Sequence, residues 1–163
     1  LSYFLENFIF FLYYMWCNID KTHFPIIKIS FNADKQIESE FDLLLDEWIK
    51  LYDDEVEFYF IFDTCDLGTL NIKYAYKMSK FIKELKKRDK QFLKKSLIIV
   101  KNKYIRFLLN IVFSITKPIA DVFLFSDTND HIIKEDIQNI KTHTDLDTVL
   151  EDYKINLSVI KSK

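Results

Sequence analysis

Glycine is almost missing from this chain: Gly68 is the only one in 163 residues. A phosphate cradle needs several glycines so that backbone N–H groups can approach the anion, so P-loop and dinucleotide fingerprints are excluded. Cys17 and Cys65 are too few for a disulfide framework and sit in no C-x-x-C or Cys/His cluster. They are expected to be buried free thiols in a reducing, cytoplasmic compartment. The three histidines, His23, His131 and His143, stand far apart without H-x-x-x-H spacing, so no metal site is expected. No G-x-S-x-G elbow presents a serine nucleophile. No catalytic residue and no cofactor follow, and the chain is expected not to be an enzyme.

Arginine is scarce as well, with Arg88 and Arg106 set against 21 lysines. Together with abundant Ile, Phe, Asn and Tyr, this is the composition that AT-rich coding sequence produces, in a protist, a bacterium or a large DNA virus. The lysine excess therefore needs no functional explanation. A long hydrophobic run is lacking too. The apolar stretch Phe8 to Cys17 is about half the length that spans a bilayer. It has no basic flank or small-residue cleavage site, so it is not expected to be a signal peptide. The sequence begins at Leu1 and its first methionine is Met15, so whether residues 1–14 belong to the natural protein stays open. Residues 1–24 are expected to cover the sheet, with a peripheral membrane anchor as the alternative.

What is present is a core. The chain is 49% hydrophobic and 17% aromatic, enough for one globular domain. From Pro25 the pattern alternates strand and helix. Ile26–Phe31 places Ile27, Ile29 and Phe31 on one face with Lys28 and Ser30 on the other, which reads as a half-exposed or edge strand. Asp34 is the expected cap of a helix that buries Ile37, Phe41, Leu44, Leu45, Trp48 and Tyr52. Val56 to Phe62 reads as a central strand covered on both faces. A helix from about Asn71 to Lys90 buries Tyr74, Met78, Phe81, Ile82 and Leu85. Ser96 to Val100 is a third strand, Tyr104 to Thr116 a helix stopped by Pro118, and Asp121 to Phe125 a fourth strand. Thr144 to Tyr153 is a last helix, with Thr144 and Asp147 spaced as a capping box. The expected fold is one α/β domain with a mostly parallel sheet of four to five strands and crossover helices. Its core is residues 25–127, followed by a C-terminal extension, 128–163.

The segment after the central strand, "DTCDLGTL", is the sharpest candidate for chemistry. Asp63 and Asp66 resemble the aspartate pair of the haloacid dehalogenase-like phosphatases. That pair is spaced i,i+2 so that both carboxylates converge on one phosphoryl group; here the spacing is i,i+3. The order strand, Asp, turn, Lys-rich helix, strand, helix, Lys-Pro, strand resembles STAS and Sec14 (CRAL-TRIO) domains over about residues 25–127. Laid on the STAS pattern, Asp63 ends the strand, Asn71 takes the helix-capping aspartate, and Ile72 stands where the phospho-acceptor serine would be. The resemblance implies a non-catalytic interaction module in which Asp63, Thr64, Asp66, Thr69 and Asn71 shape the loop at the strand end. It implies no phosphorylation switch at Ile72, although Thr64 and Thr69 share the turn. The Sec14 likeness lies in the helix ending at Lys117-Pro118, which in that family gates a lipid pocket and touches membrane.

Charge is segregated. Asp34 to Asp66 holds twelve acidic residues, and Lys73 to Arg106 holds thirteen basic ones. The two segments are expected to pair across adjacent helices. The alternative is a basic contact face of Lys73, Lys77, Lys80, Lys87 and Arg88. The helix 104–116 carries more apolar surface than one sheet face hides, with Phe107, Leu108, Ile111 and Phe113 as candidate contacts. A protein partner, self included, is the leading expectation. Anionic lipid is the alternative, a structural role in a larger assembly such as a viral particle is the third, and nucleic acid is not expected.

Overall fold

In the computed structural model, which describes residues 16–32, 38–126 and 130–163, the elements run in the order β1 (Cys17–Asp20), β2 (Ile26–Phe31), α1 (Glu38–Lys50), β3 (Phe58–Asp63), α2 (Lys73–Leu85), β4 (Leu93–Ile99), α3 (Lys103–Ile115), β5 (Asp121–Phe125), α4 (Asp130–Asn139), α5 (His143–Asp152) and β6 (Leu157–Ile160). The expectations for Asp34, Ile37, residues 1–15 and Asp127 lie outside the described residues. The six strands stand in the sheet in chain order. β2 through β5 are parallel neighbours, while β1 and β6 close the two edges antiparallel. The sheet is thus mixed, with a parallel centre as expected, and has six strands rather than four to five. β2 is not an edge, because Cys17–Asp20 pairs along its outer side.

Side chains alternate across a strand, so each strand feeds two cores. On one face Ile27, Ile29, Phe58, Phe60, Ile98 and Leu124 meet α1, α2 and α3. On the other, Ile26, Ile61, Leu97, Ile99 and Phe125 meet Ile137 and Ile140 at the end of α4 and Leu146 and Leu150 of α5. A register shift opposite Phe58/Tyr59 lets Leu93 and Ser96 reach the same face although three positions separate them. Residues 130–160, expected as an extension, supply the second covering layer and the last strand. One α/β domain results.

Element ends follow local chemistry. α2 stops at Leu85, short of Lys90, because Lys86-Lys87-Arg88-Asp89-Lys90 offers no apolar side chain to bury. The capping box of α5 is made by Thr142 and Asp145, not Thr144 and Asp147. Thr142 Oγ1 accepts the Asp145 N–H, and the Asp145 carboxylate accepts the N–H groups of Lys141 and Thr142. Those hydrogen bonds hold Asp145 below the usual carboxylate pKa. α3 starts at Asn102, whose side chain accepts the Tyr104 N–H at 2.8 Å. Past β6 the chain is fastened by Asp121, which accepts the N–H and hydroxyl of Ser162 and the Lys161 ammonium.

Candidate functional site

The loop that follows β3 is built by its own backbone. The Asp63 carboxylate accepts the Cys65 N–H at 3.0 Å, closing a turn two residues long. Thr64 is buried, and both its hydroxyl (2.6 Å) and its N–H (3.2 Å) donate to the Ile99 carbonyl at the end of β4. That double tie holds the loop to the neighbouring strand and takes the Thr64 hydroxyl out of reach of a kinase. Asp66 and Thr69 are exposed. Asn71 Oδ1 accepts the Lys73 N–H at 2.9 Å, so the expected capping role is carried out two residues ahead of α2. Asp63 therefore organises a turn, while Asn71 meets the helix N-terminus. Among the described residues no group of three or more His, Cys, Asp or Glu is placed to hold a metal ion.

The basic row on α2 faces the acidic row on α1. Lys73 pairs with Glu38 at 3.1 Å, and Lys77 pairs with Asp42 at 2.5 Å and Glu38 at 3.8 Å. The hydrogen bond to Asp42 raises the Lys77 pKa. Lys87 turns back to Glu84 at 2.7 Å, and the Arg88 guanidinium lies over the Tyr52 ring, 5.3 Å from its centre. Further along, Lys90 meets Glu55 and Lys94 meets Glu57. The charge segregation seen in the sequence is thus largely spent within the chain. Of the five candidate contact residues, Lys80 and Arg88 are exposed without an ion pair among the described residues, and Arg88 is engaged with the Tyr52 ring.

α3 divides its apolar residues. Leu108 is 5% exposed and belongs to the core, which removes it from the candidate contact surface. Ile111 and Phe113 are half-buried against that core. Phe107 and Ile115 stand 51% and 50% exposed. Phe107, Ile111 and Ile115 are spaced by four, so they form one stripe along the helix. Sequence reading missed its counterpart on α2: Ile72 and Tyr76, also four apart, are 39% and 54% exposed. The signal was available, since neither belongs to the set Tyr74, Met78, Phe81, Ile82 and Leu85 that defines the buried stripe. The Tyr104 hydroxyl donates to the Leu70 carbonyl at 2.9 Å, tying the start of α3 to the segment entering α2. α2 turns Lys77 toward α1, and at about 100° per residue Ile72 and Tyr76 project from a side of the helix turned away from it.

Below the seam of α2 and α3, between helices and sheet, lies an apolar cavity of about 140 Å³. Trp48 of α1, Ala75 and Met78 of α2, and Leu108 and Val112 of α3 form its roof. Phe62, Ser96, Ile98 and Val122 form its floor, and Trp16 and Phe31 stand at one end. Among the described residues the buried Trp48 Nε1 has no hydrogen-bond partner. It lies near Tyr52, whose hydroxyl donates to Gln91 at 3.0 Å and whose pKa burial pushes up to about 12. No helix among the described residues is long and apolar enough to cross a membrane. Comparison of the chain with protein-family models, curated proteins and solved structures finds no match.

Proposed function

We propose that the chain is a non-catalytic α/β binding module of STAS- or Sec14-like type that docks a protein partner on the α2–α3 seam. The observation that carries the reading is the exposed apolar stripe of Ile72, Tyr76, Phe107 and Ile115. Exposed apolar side chains gathered on two adjoining helices cost solvation unless another surface covers them at least part of the time. Lys80 and Lys83 continue the Ile72–Tyr76 line on α2, and Lys103 opens α3; all three are exposed. An apolar centre with a cationic rim suits a partner that presents an apolar anchor among carboxylates. Against catalysis, the Asp63 carboxylate is engaged in its own turn and the strand order never reverses, so no crevice of the kind used by open α/β enzymes arises at the strand ends.

The test is a Tyr76→Ser/Phe107→Ser double variant, checked by circular dichroism for an unchanged fold. The wild-type chain should retain a protein at fixed stoichiometry from extracts of the cells that make it, and the variant should not. An aromatic anchor at such a centre contributes about 2 kcal/mol or more, roughly thirtyfold in affinity. Equal retention by both forms would remove the seam as the docking surface. Flotation with anionic vesicles lost in the same variant would replace the protein partner by a membrane surface, and loss of self-association would make the partner a second copy.

A further inference from the structure

We infer that the cavity under the α2–α3 seam is a binding site for one small uncharged apolar molecule, of the size of a single aromatic ring or a short alkane. Its volume of about 140 Å³ comes first. Protein interiors leave few voids larger than a water molecule, and a dry apolar cavity of about 150 Å³ accepts benzene. Water is a poor occupant here, because it needs two to four polar partners and the wall is almost wholly apolar. The Ser96 hydroxyl is one of few polar groups on it.

The space is also left open by the residues chosen. In a wall otherwise of larger, mostly apolar residues, three small side chains border the void: Ala75 on α2, Ser96 on β4 and Ala120 before β5. Each is buried, and a larger apolar residue at any of them would close the space. Among the described residues no Lys, Arg, Asp or Glu lines it, which disfavours an ionised headgroup, and the volume excludes a two-chain lipid. The inference does not depend on what docks on the seam outside.

Trp16 and Trp48 line the cavity and are the only two tryptophans in the chain, so both emitters report on an occupant of the void. Titration with bromobenzene, whose heavy atom quenches indole at contact, should give saturable quenching with one site per chain, reversed by excess benzene. Ala75→Leu fills the space and should weaken that binding tenfold or more; Ala120→Val serves if Ala75→Leu does not fold by circular dichroism. Quenching that rises linearly without saturation, or an unchanged midpoint in the folded filling variant, would overturn the assignment. Decanoate should not displace bromobenzene, and displacement at similar concentrations would refute the limits of size and charge.

Discussion

Leu146 lies on α5 with no exposed surface, packed among Ile26, Ile61, Leu97 and Phe125 from four different strands. Its truncation to Ala tests whether the last fifth of the chain is integral to the fold. The change removes three buried carbons, about 2.4 kcal/mol at about 0.8 kcal/mol per buried CH2. A residual cavity adds about 24 cal/mol per Å³, so the total should fall at about 3–5 kcal/mol. For a chain of this length that lowers the melting temperature by roughly 6–20 °C, at about 2–4 °C per kcal/mol. Urea unfolding followed by circular dichroism and by tryptophan emission measures it. Both tryptophans lie on the opposite face of the sheet, so coincident transitions would show that the two layers unfold together. A loss below about 1 kcal/mol, or a circular-dichroism transition that precedes the tryptophan one, would refute the claim that α4, α5 and β6 belong to one cooperative unit.

The Asp121 carboxylate is pulled down to about 2, chiefly by the Ser162 N–H and then by the Lys161 ammonium. Its folded pKa lies below the ordinary value near 3.8, so its contribution is fully present above about pH 4 and is lost as pH falls toward 2. Asp121→Asn should flatten the melting temperature between pH 4 and 2 relative to wild type, and parallel profiles would contradict the clamp. Burial, with Glu40 adding, pushes the Cys17 thiol up to about 12, so it stays protonated at neutral pH. Maleimide labelling of the native protein followed by mass measurement should modify Cys65 only, with both thiols modified in denaturant; rapid native labelling of Cys17 would disprove its burial. Thr64→Val removes the buried hydroxyl bonded to Ile99 and should cost about 1 kcal/mol in urea unfolding without loss of docking on the seam. Lost docking would move the contact surface to the strand-end loop.

Two strands were legible in the sequence to the residue, Ile26–Phe31 and Asp121–Phe125, because apolar alternation and flanking turns mark them without help from elsewhere. Cys17–Asp20 and Leu157–Ile160 were not. Each is four residues long, too short for its pattern to stand out, and each pairs along the edge a neighbour offers. The same cause made β2 look like an edge. The helix α4 hid behind its polar composition; among its described side chains Ile137 is anchored in the core, with Ile140 just beyond its end. At the site, the turn roles of Asp63 and Asn71 could be foreseen, as Asx chemistry is local. Leu108 and Phe107 could not be told apart, because both lie on a helix apolar nearly all round, and only the position of the sheet decides which is buried. The small residues Ala75, Ser96 and Ala120 gave no signal singly, since a void is made by three distant segments together.

Because each strand sits beside the one before it, the sheet can be laid down in the order in which the ribosome delivers it, with no later segment inserted between earlier ones. One face is roofed as it grows, by α1, α2 and α3 arriving between successive strands. Among the described residues the other is covered by α4 and α5, so until these emerge Ile26, Ile61, Leu97, Ile99 and Phe125 lack those partners. A nascent or prematurely terminated chain therefore displays a flat greasy plate, and this is the interval in which it depends on chaperones or sticks to its own kind.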